Sequence, residues 1–276
     1  MSKKELLADE VAAIRAKLTS LIEGLNEQPL APHRRRAVDG EIRRLISDLE
    51  AALSRIDPVA LPTSVFDPSN PKIIGRFTAL AMVAQPRYRL AGLGAFYGSG
   101  VYALYYTGGF PLYRSLSGSE TPIYVGKAGP AMDGARTPRE QGERLAARLN
   151  EHRKNIEKAS TTLDVGDFDA RFLVVQSGWE RSAEDYLISL FRPIWNSEVD
   201  ILYGLGKHGD SATTRANKRS PWDSVHPGRA WATATKEDAR SEARIAADLA
   251  KHSESRPVFR TTSELLDAFL AELRQG

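Results

Sequence analysis

The sequence predicts an α/β (α+β) protein: a small domain with a few-stranded antiparallel sheet flanked by helices, extended by helical additions at both ends. Three observations carry this. Apolar residues recur at helical spacing in both terminal regions. Two tyrosine-centred strand-like runs, GVYALYYTG and PIYVGKAG, lie in the middle. After and between them, strand-like and helix-like stretches follow in the order β-β-α-β-α.

Residues 3–27 read as an amphipathic helix, because Leu6, Val11, Ile14, Leu18, Leu21, Ile22 and Leu25 fall on one side of a 3.6-residue period. Pro29 and Pro32 break it, and a second helix follows over about 33–56, with Val38, Ile42, Leu45, Ile46, Leu49 and Leu53 on its apolar side. Residues 1–57 are therefore expected to form a helical hairpin for packing or dimerisation. The stretch 58–98 holds a proline-rich arm, DPVALPTSVFDPSNP, a short helix near 71–84 and the run AGLGAFYGSG. Those glycines resemble a phosphate-binding loop, but no strand precedes them and a strand rather than a helix follows, so they read as turns. The core, 99–200, contains strands at 100–107, 122–127 and 168–176 and helices at 137–158 and 179–191, the last closed by Pro193. Periodicity fades over 201–235. Helices return at 236–252 and 262–274; the second opens on a capping box, with Thr262-Ser263-Glu264-Leu265 or, one residue earlier, Thr261 and Glu264.

Composition narrows the function classes. The chain has 276 residues, 42% hydrophobic and 26% charged, as soluble proteins do. No run of 18 apolar residues is present, so no transmembrane helix is expected, and the amino terminus lacks an apolar signal segment. There is no cysteine, which excludes disulfides and thiolate metal sites and fits a cytoplasmic location. The net charge is +3 with a pI near 9.0. Positive excess gathers in two places: 127–158, with eight Lys/Arg against five acids, and 201–230, with five against two. A polyanionic partner is consistent with both.

Individual residues sharpen this. Tyr102 and Tyr124 sit in different strands and share a sheet face if those strands pair. Arg148 and His152, four apart in RLAARLNEHRKNI, share a helix face beside the stripe of Leu145, Leu149 and Ile156. Arginine suits the spread charge of a pentacovalent phosphate, and histidine moves protons near neutral pH. Glu184 follows in a helix-like run, where a carboxylate is either a dipole-favoured surface acid or a Mg²⁺ ligand; magnesium needs only one or two carboxylates. Asn196 closes Pro193-Ile194-Trp195-Asn196. His208, Asn217 and His226 mimic an HNH spacing without its hairpin-plus-helix frame, and Pro221 and Pro227 interrupt it.

Taken in order, GVY…YVGK…RLxxH…E…N resembles the GIY-YIG nuclease superfamily over roughly 98–200, and most closely its type II restriction endonuclease branch. Within that branch the run SPWDSVHPGRAWA is similar to enzymes that cut the palindrome CCGCGG (the SacII specificity). Valine replaces isoleucine in both triplets, and the linker between them, 107–121, is longer than in many members. The resemblance implies a catalytic core at 99–200 that hydrolyses double-stranded DNA in a homodimer, with one Mg²⁺ per site held by Glu184. It implies Tyr102 as general base or its positioner, Tyr124 as orienter, Arg148 as charge stabiliser, His152 as Tyr102's support and Asn196 as an ordering residue. Lys127 is expected to assist a phenol, since an ordinary tyrosine pKa near 10 makes a poor base at neutral pH. The basic segment 201–235 is expected to read bases or grip phosphates through Lys207, Arg215, Lys218, Arg219 and Arg229. A cognate DNA methyltransferase is the expected genetic partner. A structure-directed or homing-type nuclease and a non-catalytic DNA-binding protein are the alternatives.

Overall fold

The computed structural model describes residues 3–27, 32–56, 67–176, 178–206, 218–233 and 235–275. The chain divides into two compact units, Met1–Val65 and Phe66–Gly276. The first contains helices α1 (Lys3–Glu27) and α2 (Pro32–Ile56). Of their apolar residues, Val11, Ile14, Ile22, Ile46, Leu49 and Leu53 are exposed, while Leu18, Leu25 and Ile42 are half-buried. The proline-rich arm up to residue 66 lies outside the described residues.

The second unit is built on a four-stranded antiparallel sheet in the order β1-β4-β2-β3, and among the described residues it and the first unit together carry ten α-helices. Strands β2 (Gly100–Tyr106), β3 (Tyr124–Ala128) and β4 (Phe168–Val174) stand where the alternation places them, within a few residues. Strand β1 is only Tyr88–Arg89, paired with Ala170 and Asp169. Two residues are too few to leave a sequence pattern, which is why it was not expected.

Each helix start has a local cause. Helix α3 (Pro71–Val83) has proline at its first position and the Asn70 side chain accepting from Lys72 N at 2.9 Å. The single helix expected over 137–158 is two: α4 (Pro138–Gln141) and α5 (Arg144–Lys158). Gly142 separates them at φ 73°, a conformation that only glycine adopts without strain. Helix α6 (Glu180–Phe191) ends on Arg192 in the left-handed region, and Pro193 prevents continuation. In the stretch where periodicity fades, Ser220 caps a short helix α7 (Pro221–Val225), and α8 (Ala230–Thr233) follows. The helix expected from 236 begins later, as α9 (Glu242–Ser255), because Arg219 N bonds Glu237 O and Ala239 N bonds Arg219 O. Helix α10 (Thr262–Gln275) takes the earlier of the two caps: Thr261 Oγ1 accepts from Glu264 N, and Glu264 Oε2 from Arg260 N.

The sheet separates two cores. On one face Tyr102, Leu104, Tyr106 and Phe168 pack against Leu145, Leu149 and Ile156 of α5, with Trp195 and Trp222 beyond. On the other, Val101, Ala103, Tyr105 and Val125 meet α3, α6 and α10 through Met82, Ala183, Leu187 and Phe269. Strand β2 is therefore buried on both faces, while β3 is the sheet edge with a helix on either side. That edge is where the site forms. Among the described residues no helix is long and apolar enough to cross a membrane.

Candidate active site

The two tyrosine triplets meet because β2 and β3 pair antiparallel, with Tyr102 opposite Gly126 and Leu104 opposite Tyr124. Side chains alternate across a strand, so Tyr102 and Tyr124 project from the same face, their ring centroids 6.1 Å apart. Both triplet glycines have steric reasons. A Cβ on Gly126 would lie 2.6 Å from the Tyr102 hydroxyl, and one on Gly100 (φ +154°) only 2.0 Å from the carbonyl of Leu173. Neither position admits a side chain without moving a strand or the phenol.

Helix α5 covers this face. Its buried stripe includes His152 together with Leu145, Leu149 and Ile156. The histidine is thus inside the stripe that sequence placed it beside. Its Nε2 lies 2.7 Å from the Tyr102 hydroxyl, and its Nδ1 is buried without a partner. Burial, helped by the nearby Arg148 charge, pulls its pKa down to about 3, so the imidazole is neutral at pH 7. Burial raises Tyr102 well above the ordinary phenol value, and Tyr124 pushes it further while Arg148 opposes. Tyr124 is raised by burial too, with Arg148 pulling down and Glu184 pushing up. Arg148, one turn before His152, pairs with Glu151 at 2.7 Å; burial works against its charge, but Tyr102, Glu151 and Tyr124 more than offset that.

The other face carries an ion pair. Lys127 stands opposite Val101 and so points away from the phenols, toward α6, where its ammonium contacts the Glu184 carboxylate. The expected assistance from Lys127 to a phenol is not the contact this strand makes. Alternation explains why: Tyr124 and Gly126 share one face, and Lys127 takes the other. Burial lifts the Glu184 carboxyl above its ordinary value, while Lys127 draws it back.

After α6 the chain turns back along the free edge of β3. Trp195 N bonds Ile123 O at 3.1 Å. Asn196 then accepts from Val125 N at 2.9 Å and donates to Val125 O at 2.8 Å. One carboxamide thereby satisfies both outward backbone groups of an edge-strand residue, as a paired strand would. Its place between Tyr124 and Gly126 makes it an anchor of the triplet.

Tyr124, Arg148, Glu184 and Asn196 line one cavity of about 300 Å³, joined by Trp195, Glu198, Tyr203, Gly204, Leu205 and Gly206. Tyr102 and His152 lie behind Tyr124, fully buried. Sequence reasoning missed Glu198 and the 203–206 wall. Glu198 is an isolated acid, and the Gly-x-Gly of the wall reads only as a turn. A divalent cation fits Glu184, which already draws the Lys127 ammonium and faces a space that leaves room for metal-bound water. A single carboxylate donor suits an ion that keeps most of its water shell.

The residues expected to touch DNA divide differently. Lys207 and Arg215 lie outside the described residues. Lys218 pairs with Glu237 at 3.2 Å and Arg219 with Asp238 at 2.8 Å. Arg229 is 3% exposed and ion-paired with Asp223, so the expectation that it reaches DNA does not match its place in the fold. His226 is buried between the Tyr113 hydroxyl and Thr162 Oγ1, and burial lowers its pKa to about 3; His208 and Asn217, the other residues of the HNH-like spacing, lie outside the described residues.

Phenols and imidazole on one side of a strand, guanidinium at the cavity and a carboxylate on the other side can together handle a proton and a developing phosphate charge. No curated protein matches the chain. The family profile described as the Eco29kI GIY-YIG domain matches residues 94–253. That match covers more than half of the sequence and encloses every residue named above as lining the cavity, and the chain belongs to this GIY-YIG restriction endonuclease family.

Proposed function

We propose that this protein is a Mg²⁺-dependent type II restriction endonuclease that hydrolyses double-stranded DNA at a short, GC-rich palindrome, acting in the cytoplasm as a homodimer. The observation that carries the reading is the single cavity at the β3 edge. It brings Tyr124, Arg148, Glu184 and Asn196 to one space, with the Tyr102–His152 hydrogen bond directly behind. A palindrome has two-fold symmetry and invites a two-fold symmetric protein. A protecting methyltransferase completes the expected genetic setting.

Glu184 would hold the divalent ion, which supplies Lewis acidity to a phosphate oxygen when bound. The remaining work belongs to the chain's own groups. Arg148 presents a planar fork to two phosphate oxygens and stabilises charge as the attacking oxygen closes on phosphorus. Tyr124 is the phenol that faces the cavity and orients the attacking water. Tyr102 and His152 stand behind it as positioning groups. Burial keeps the phenol protonated and the imidazole neutral, so Tyr102 donates to His152 Nε2 and is held against Tyr124, while the proton of the attacking water leaves through the open cavity. Asn196 keeps Tyr124 in place through Val125.

Incubation with plasmid DNA and Mg²⁺ tests this directly. Discrete bands from linear and supercoiled DNA that vanish in Glu184→Ala are the expected result. No cutting of any duplex across metals and salt concentrations would overturn it. Cutting confined to branched junctions would make the protein a structure-directed nuclease instead.

A further inference from the structure

Arg229 is the centre of a buried network at the back of the cavity. Its Nε and Nη2 fork onto the Asp223 carboxylate at 2.6 and 2.7 Å. Nη1 donates to Leu205 O at 2.9 Å and Nη2 to Gly204 O at 2.6 Å. The guanidinium carbon lies 4.7 Å from the Trp222 ring centre and 5.2 Å from that of Trp231. Asp223 also accepts from Ser220 Oγ at 2.6 Å. Two further donors reach the same loop: Asn155 Nδ2 of α5 bonds Leu205 O at 3.1 Å, and Trp222 N bonds Tyr203 O at 3.1 Å.

Three consecutive carbonyls, those of residues 203, 204 and 205, are thus held by the layer behind them. The same residues, with Gly206, line the cavity beside Tyr124, Arg148 and Glu184. A buried ion pair is a weak source of stability, because desolvation of both charges cancels much of their attraction. What a rigid fork does supply is direction, and here it is spent on backbone oxygens of the cavity wall. The segment also reaches Trp195, another residue lining the cavity. His226 bonds the Tyr113 hydroxyl, which accepts from Trp195 Nε1 at 3.0 Å, and Trp195 adjoins the Asn196 anchor of β3.

We propose that the Asp223–Arg229 pair is a positioning element of the phosphodiester site, setting the backbone of 203–206 against the phenol and guanidinium. This rests on the nuclease reading above. Arg229→Lys keeps the charge and removes the fork; Asn155→Ala leaves the ion pair intact and removes the donor from α5. Four measurements on the full chain decide: thermal unfolding, hydrogen exchange of the 201–206 amides, single-turnover cleavage with Mg²⁺, and DNA binding with Ca²⁺ replacing Mg²⁺. The expected result for folded Arg229→Lys is exchange faster by roughly tenfold and cleavage slower by roughly ten- to hundredfold, with DNA affinity within about threefold. Asn155→Ala is expected to move both in the same direction by less, and it decides the matter if Arg229→Lys does not fold. Unchanged exchange at 201–206, an unchanged cleavage rate, or a rate loss that only follows the folded fraction overturns the proposal. A wild-type protein that cuts no duplex overturns the nuclease reading itself, whereas a cutting wild type with unaffected variants overturns only the positioning role.

Discussion

The two faces of strand β3 present different surroundings, although Tyr124 and Lys127 are three residues apart in the chain. On the α5 face Tyr102, Tyr124 and a neutral His152 are packed in apolar surroundings, where burial keeps protons on the phenols and off the imidazole. On the α6 face Glu184, which lines the cavity, is ion-paired with Lys127, whose ammonium partly offsets the burial that raises the carboxyl's pKa. One step along a strand changes face. The buried phenols and the cavity carboxylate are therefore kept apart across the thickness of one strand.

The largest effect should come from the charged face. Glu184→Ala removes the cavity carboxylate that pairs with Lys127, and cleavage is expected to fall by roughly 10³-fold or more while DNA binding in Ca²⁺ survives. Quenched-flow cleavage beside a binding titration reads both; near-normal cleavage would break the comparison. Arg148→Lys, which keeps a cation but not the fork, should cost roughly 10²- to 10³-fold in the single-turnover rate with little change in KM.

The neutral face is tested next by Gly126→Ala. The new Cβ would lie 2.6 Å from the Tyr102 hydroxyl, so the phenol must move. A loss of about 1–3 kcal/mol in unfolding free energy is expected from overpacking, with cleavage reduced but metal binding retained. Equal loss of metal binding would show that the two faces are not separate.

Acid sensitivity follows from the buried histidines. His152 and His226 both have folded values near 3, below the ordinary 6.5. The unfolded chain therefore binds more protons than the folded one between those limits. Stability is fully present above about pH 6.5 and declines on acidification, by up to roughly 1.4 kcal/mol per pH unit for each histidine. Urea midpoints measured from pH 7.5 to 5 should fall, and His226→Asn should flatten the slope. The smallest effect is expected at Lys127→Met. Without the competing ammonium, Glu184 should bind a divalent ion a few-fold more tightly in calorimetry; weaker binding would instead place Lys127 in support of the metal.

Charge illustrates what a sequence hides. The stretches 127–158 and 201–230 have the same positive excess, yet Arg148 faces the cavity while Arg229 is enclosed between two tryptophans and an aspartate. Nothing in the local sequence around 229 announces this, because the partners that consume its donors, Gly204 and Leu205, come from a distant loop. Lys127 is the opposite case. Its face was legible from strand alternation alone, once Tyr124 is placed inward.

By itself the sequence determined the local elements: helical periods at both ends, the strand pair around the two tyrosine triplets, the breaks at proline and glycine, and the four-residue spacing that sets Arg148 beside His152. These depend on backbone sterics and periodic burial, which act over a few residues. Only the tertiary structure decided that β3 is an edge, that Asn196 completes it, that Tyr102 sits behind Tyr124, and that Arg229 holds a wall instead of reaching outward. Those outcomes come from contacts between distant segments competing for the same donors, acceptors and volume, and no local pattern encodes which of them prevails.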